Sequence, residues 1–170
     1  LVNINRKIFC DGAEISVIKT YNDKYFPAKF YSQEECVSVE AGKGEWGDAS
    51  RRIIRTVFDL TNAPDSNLVL GEVVHKPGCW SSYPPHRHPQ PELYFYKFTP
   101  EQGFGYSELG GQVFKVKNND ACIITDDVIH PQVAAPGYSM FYIWTIRHLE
   151  NNLWNKTRIY APEHRWLTQG

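Results

Sequence analysis

Short apolar runs, cut at close intervals by turn residues, constrain the fold of this chain more than any other feature. Aromatic and β-branched residues concentrate in 14–19, 53–60, 67–75, 92–98, 112–117, 121–125 and 139–146. Between them stand Asn62-Ala-Pro-Asp-Ser, Lys76-Pro-Gly, His88-Pro-Gln-Pro, Leu109-Gly-Gly, Asn118-Asn-Asp and Ala135-Pro-Gly. Many short strands separated by glycine, proline and asparagine are the signature of a sandwich or barrel. No window of about 11 residues or more carries a helical stripe clear of turn signals. The best helical segments are short, at 32–35 and 149–155. The expected fold class is all-β, a single barrel.

The 170 residues amount to about one domain. A chain of that size buries roughly 70% of its unfolded surface, so no covalent staples are needed. A formal net charge of −1 lacks the basic footprint of a nucleic-acid binder. No apolar run reaches the roughly 18 residues of a membrane span. The longest stretch without Asp, Glu, Lys or Arg, 128–146, is broken by His130, Pro131, Pro136 and Gly137. The first residues hold no apolar signal core, and the only methionine is Met140, so the chain is expected to begin inside a longer reading frame. Cys10, Cys36, Cys79 and Cys122 form no Cys-x-x-Cys motif and are read as reduced small residues. The expected compartment is the cytoplasm. Residues 1–40 read as an ordered extension and linker with a strand or two, strapped to a barrel domain over 41–170.

The segment Pro77-Gly-Cys-Trp-Ser-Ser-Tyr-Pro-Pro-His-Arg-His-Pro-Gln-Pro-Glu-Leu-Tyr-Phe-Tyr carries the chemistry. Side chains alternate faces along a strand, so His86 and His88 point one way and Arg87 the other. Glu92 opens the next strand and shares a face with Tyr94 and Tyr96. Two imidazoles and a carboxylate facing one interior suit a divalent transition metal, and His130 is placed to add a fourth ligand. Taken singly, a His-x-His pair, a carboxylate at a strand start and a loop histidine are ordinary features. The set His86, His88, Glu92 and His130 is far more specific. His75, His148 and His164 read as strand-edge or tail residues.

His-x-His, three residues, Glu and a distant His resemble the two signature motifs of the cupin superfamily. The second motif is 120–130, where Thr125 and Asp127 stand at the usual Pro and Gly positions. A narrower resemblance is to the 5-deoxyglucuronate isomerases of myo-inositol breakdown. It rests on Gly71-Glu-Val-Val, Trp80-Ser-Ser-Tyr-Pro-Pro-His, Gln102-Gly-Phe-Gly, His130-Pro, Ala135-Pro-Gly-Tyr and Ala161-Pro-Glu-His-Arg-Trp-Leu. The Glu-x-Tyr-Phe-Tyr run is shared with the 4-deoxy-5-ketouronate isomerases. The resemblance implies a jelly-roll cupin barrel. Members of both families are two-cupin chains, and this sequence resembles the C-terminal, metal-bearing cupin, so residues 1–40 read as the end of an N-terminal cupin. The loop between His88 and Glu92 is shorter than in the inositol enzymes, and Pro89 replaces their usual acidic residue.

The resemblance further implies interconversion of an aldose acid and a keto acid, 5-deoxy-glucuronate to 5-dehydro-2-deoxy-gluconate, with one divalent zinc, manganese or iron ion. The partner is then a small sugar acid, and a homo-oligomer is compatible with it. On the alternation of its strand, Glu72 is a candidate general base if its face is inward, and a surface ion pair if it is not. Tyr94 is a candidate donor to a developing oxyanion, or a packing residue. Arg52 stands where the isomerases carry an arginine and is the candidate for the substrate carboxylate. Two rivals stand beside this reading: a non-catalytic metal- or sugar-binding cupin, and an iron-dependent dioxygenase. Trp80, Trp144, Trp154 and Trp166 are expected to be structural, with the tail packed back on the barrel or on a partner.

Overall fold

The structure, a computed structural model, describes residues 12–169. Twelve strands run in order: Val37–Ala41 (β1), Arg52–Phe58 (β2), Leu68–His75 (β3), Trp80–Ser81 (β4), His86–Arg87 (β5), Glu92–Thr99 (β6), Phe104–Leu109 (β7), Gln112–Lys117 (β8), Ala121–Ile124 (β9), Gln132–Ala134 (β10), Ser139–Arg147 (β11) and Ile159–Tyr160 (β12). The expected all-β barrel is what forms. One sheet has the order β1-β2-β3-β11-β6-β9, a second β4-β10-β7-β8, and β12 pairs with β5 in a small ribbon. Every pairing is antiparallel. Helical structure is confined to short 3-10 turns, and no helix of the described residues is long and apolar enough to cross a membrane.

Period-two alternation decides which side chains fill the barrel. Along β6, Glu92, Tyr94, Tyr96 and Phe98 are buried while Leu93, Phe95 and Lys97 are only half so. Along β11, Met140, Tyr142, Trp144 and Ile146 do the same, and they join Val69 and Val73 of β3 in the core. Val116 of β8 and Ala134 of β10 close it from the second sheet. Polar links tie the sheets together. The Tyr96 hydroxyl donates to the Gln132 side-chain oxygen, and Ser107 Oγ lies 3.3 Å from Cys122 Sγ. Gly71 is a packing requirement: a Cβ there would sit 2.2 Å from the Trp144 ring and 2.6 Å from the Arg55 carbonyl. Its absence lets the Trp144 indole lie against β3.

Several expectations about local structure are corrected. Residues 14–19 form no strand. Glu14 reaches Lys97 of β6 at 2.8 Å, Thr20 accepts from Arg147 at the end of β11 at 3.2 Å, and Asn22 accepts from the Asn67 backbone N–H just before β3 at 2.5 Å. The segment therefore crosses three neighbouring strands and finds no ladder partner. β1, at the end of the expected extension, is instead the edge of the six-stranded sheet. Residues 149–155 form turns around a Leu149–Asn152 bridge, with Asn151 at φ +57°, rather than a helix. Trp144 and Trp154 are buried, but Trp80 is 38% and Trp166 67% exposed, so the tail docks through β12 and Ala161 and not through its tryptophan. Cys36, Cys79 and Cys122 are free thiols. Cys10 lies outside the described residues.

The strand-edge or tail reading of His75 and His148 is corrected: both are buried, and His75 is a core residue on the inner face of β3. It is 1% exposed, its Nδ1 lies 3.1 Å from the Cys79 carbonyl and its ring meets Tyr142 at 5.4 Å. Burial, with a smaller push from the Arg52 charge, lowers its pKa to about 3 against the Cys79 hydrogen bond. The unfolded chain takes up this proton near pH 6.5 and the folded chain does not. Stability is therefore whole above about pH 6.5 and drains as pH falls toward about 3, by roughly 1.4 kcal/mol per pH unit. Urea midpoints measured with chelator at pH 7.5 and pH 5 should fall clearly in the wild type and by less in His75→Gln. Equal falls would show that His75 does not carry the dependence.

Candidate metal centre and its pocket

The ends of three strands, β5, β6 and β10, bring four side chains to one mouth of the barrel. β5 delivers His86, the turn after it His88, β6 begins with Glu92, and His130 stands just before β10. All four side chains are buried. The turn into His130 works because Asp127 adopts φ +51°, the left-handed conformation a glycine would take, and its carboxylate pairs with Arg87.

Each histidine is oriented by a backbone carbonyl. Nδ1 of His86 is 2.8 Å from Pro84 O, Nδ1 of His88 is 3.0 Å from Gln90 O, and Nδ1 of His130 is 2.8 Å from Val128 O. A carbonyl only accepts, so each Nδ1 carries a hydrogen and each ring turns its Nε2 away from the backbone. This is how ligating imidazoles are held in metal proteins. His88 Nε2 then lies 3.1 Å from Glu92 Oε2, and His130 Nε2 lies 3.3 Å from the same oxygen without making a hydrogen bond. Lone pairs crowded together in a dry site repel unless a proton or a cation lies among them. Burial pushes the Glu92 carboxyl up, but His130 and His88 hold it down at about 2. Burial pushes His130 down, and Glu92 more than offsets this, so its pKa is raised.

The spacing fits a cation. Donor atoms bound at about 2.1 Å in tetrahedral or octahedral arrangement stand roughly 3.0–3.4 Å apart. The ligand atoms of His88, Glu92 and His130 all lie within 4.8 Å of one another. His86 stands just outside that group. Its ring centroid is 5.5 Å from that of His130, and it lines the same pocket. Burial, with the nearby His130 charge, lowers the His86 pKa to about 3 despite the Pro84 hydrogen bond, which keeps the ring neutral.

The pocket is also lined by Arg52, Ser82, Tyr94, Tyr142, Trp144, Trp154 and Arg158. The Tyr94 hydroxyl is 2.9 Å from Ser82 Oγ, and that of Tyr142 is 2.8 Å from Ser81 Oγ. Burial, followed by the Glu92 charge, raises the Tyr94 pKa well above that of a free phenol, so it holds its proton. Ser82 reaches it from a backbone at φ +49°, a conformation uncommon for a residue with a side chain. Arg52 is half-buried and donates from Nη1 to the Ser50 carbonyl at 2.6 Å, and burial lowers its pKa.

Glu72 is not in this pocket. It alternates out of register with the buried Val69, Gly71, Val73 and His75, and its carboxylate pairs with Arg55 on the outer face of the sheet. The inward alternative for Glu72 as general base is thereby corrected to the surface ion pair, with an arginine as partner. Ser82 and Tyr142 went unassigned in the sequence, although the Trp80-Ser-Ser-Tyr run and the β11 alternation contain them. Arg158 had no local signal at all.

Comparison with known proteins bears on the fold and the family. The sequence is 23% identical to the 5-deoxy-glucuronate isomerase of Halalkalibacterium halodurans over 93% of this chain and 61% of that protein. It is 27% identical to the 5-deoxy-glucuronate isomerase of Geobacillus thermodenitrificans over 99% of this chain and 71% of that protein. The chain thus spans roughly three fifths to seven tenths of the length of these curated relatives. Among solved structures, an IolB-like protein from Salmonella typhimurium superposes with a TM-score of 0.75 at 21% identity, covering 85% of this chain and 57% of that one. A cupin 2 conserved barrel domain protein from Rhodopseudomonas palustris superposes with a TM-score of 0.58 at 12% identity, covering 76% and 80%. The fold is therefore that of a cupin. The KduI/IolB family pattern matches residues 3–167, nearly the whole chain, and the chain belongs to the KduI/IolB family.

Proposed function

We propose that this chain is the metal-binding barrel of a sugar-acid isomerase, converting 5-deoxy-glucuronate to 5-dehydro-2-deoxy-gluconate in myo-inositol breakdown. The supporting observation is three histidines, each locked at Nδ1 by a carbonyl, turned with Glu92 into a pocket that also holds Arg52. His88, Glu92 and His130 would hold one divalent ion, zinc, manganese or iron, with His86 as the fourth donor. Such an ion supplies Lewis acidity, polarising a carbonyl and acidifying the neighbouring hydroxyl.

The chain's own residues account for the rest. Arg52 takes the carboxylate at the far end of the substrate. Tyr94, protonated and steadied by Ser82, donates to the oxygen on which charge develops. Trp144 and Trp154, 5.9 Å apart between ring centroids, keep that wall of the pocket dry. Among the described residues Glu92 is the only carboxylate lining the pocket, and it is committed to His88 and His130. That absence of a free general base favours a second reading, a metal- or sugar-binding cupin without catalysis.

Turnover separates the two. Protein loaded in turn with zinc, manganese and ferrous iron is incubated with 5-deoxy-glucuronate and followed by proton NMR. Conversion with at least one metal, abolished by chelator, is expected. Binding of the sugar acid without conversion under any metal leaves the binding reading in place.

A further inference from the structure

The pocket has an excess of positive charge that the metal site does not use. Its lining contains two guanidinium groups, Arg52 and Arg158, against the single carboxylate of Glu92. Among the described residues, Arg51, Arg55 and Arg87 each have an acidic partner, whereas Arg52 and Arg158 are in no ion pair. Arg52 uses one of its five donors, on Ser50 O. A divalent ion at the histidines would add two further positive charges to the same space.

Arg158 is fixed at the rim by the small ribbon. In that ribbon Ile159 pairs with Arg87 and Tyr160 with His86. Arg158 is the next residue, at the His88 end, and by alternation it shares a face with Tyr160, whose ring meets that of His86 at 5.9 Å. Arg52 lies deeper, on β2, half-buried. The two charges feel each other: after burial, and against the Tyr142 hydroxyl, the Arg158 charge helps to lower the Arg52 pKa. Two like charges facing one cavity call for an anion between them.

We infer that Arg158 and Arg52 form a two-armed clamp for the carboxylate of the ligand, Arg52 from the floor and Arg158 from the rim. The inference rests on the sugar-acid reading of the site and adds a specificity-determining residue to it. A sugar acid with carbonyl and hydroxyl at one end and carboxylate at the other would then be held at both ends. The neutral aldose of the same length would lack the second hold.

The test uses the full chain with metal bound and two probes, glucuronate and glucose, titrated calorimetrically under conditions where proton NMR shows neither to be converted. Arg158→Gln should weaken glucuronate binding roughly 10- to 100-fold and leave glucose where it was, and Arg158→Lys should recover part of the loss. With the reactive substrate, the Arg158→Gln loss should fall mainly in KM. Arg158 is exposed, so neither variant removes core packing. Wild type that prefers glucuronate no more than glucose overturns the clamp. So does Arg158→Gln with wild-type glucuronate affinity, even in an enzyme that isomerises normally. Wild type that binds glucuronate selectively but isomerises nothing overturns the proposed activity and leaves the clamp to stand on the affinities alone.

Discussion

Glu92→Gln should leave a folded barrel that retains almost no divalent metal and no measurable isomerisation. The amide keeps the volume of the carboxylate in a site that is only 6% exposed, so the Tyr94, Tyr96 and Phe98 packing below it is undisturbed. What disappears is the single negative charge toward which His88 and His130 turn at 3.1 and 3.3 Å. An interaction of that kind supplies several kcal/mol in a water-excluded site, so a loss of roughly a thousandfold in metal affinity and in kcat/KM is expected. Removing His130 should act similarly. His86→Ala should be milder on metal retention, since His86 stands outside the tight group of three. Metal content after dialysis and turnover by NMR are the measurements. A Glu92→Gln protein that keeps stoichiometric metal would move the centre elsewhere.

The contrast between Glu92 and Glu72 shows how far the sequence alone could be read. Both are glutamates on strands next to alternating apolar residues. On β6 the alternation leans one way, because Tyr94, Tyr96 and Phe98 share a face with Glu92 while the other face, though it holds Leu93 and Phe95, ends in Lys97 and Thr99, and Glu92 falls where expected. On β3 both faces are apolar: Val69 and Val73 inside, Leu68, Leu70 and Val74 outside. Period two cannot choose between such faces. The choice is made by a non-local contact, Gly71 under the Trp144 ring, which puts the odd-numbered residues inside and Glu72 outside. The histidines were legible because strand parity and turn spacing are local. Residues 14–19 have the right residues for a strand but depend on an available sheet edge, which is a property of the whole fold. Arg158 reaches the pocket through a ribbon of two residue pairs in a stretch with no periodicity, and no window of sequence carries that information.

Arg52→Leu is expected to separate stability from function in the opposite sense to a core substitution. Arg52 is a half-buried guanidinium, with burial pressing its pKa down and a hydrogen bond to the Ser50 carbonyl as compensation. A desolvated charge without a carboxylate partner weakens folding, and replacing such groups by apolar ones of similar reach is commonly neutral or stabilising. The variant should therefore unfold at the wild-type temperature or a few degrees above it. Function should move the other way. If Arg52 is the floor of the carboxylate site, the leucine leaves the ligand's charge facing apolar surface, and kcat/KM should fall by roughly a hundredfold or more. The neighbouring Arg55 gives the control, because its charge is already satisfied by Glu72 on the outer face. Arg55→Leu should lose a little stability and little activity, since it removes one partner of an ion pair far from the reacting atoms. A destabilised Arg52→Leu protein, with activity lost only in proportion to the unfolded fraction, would show that the guanidinium holds the sheet together and binds nothing. A stable protein with low kcat/KM, normal metal content and no glucuronate preference would show instead that the fold tolerates this charge for the sake of an anionic ligand.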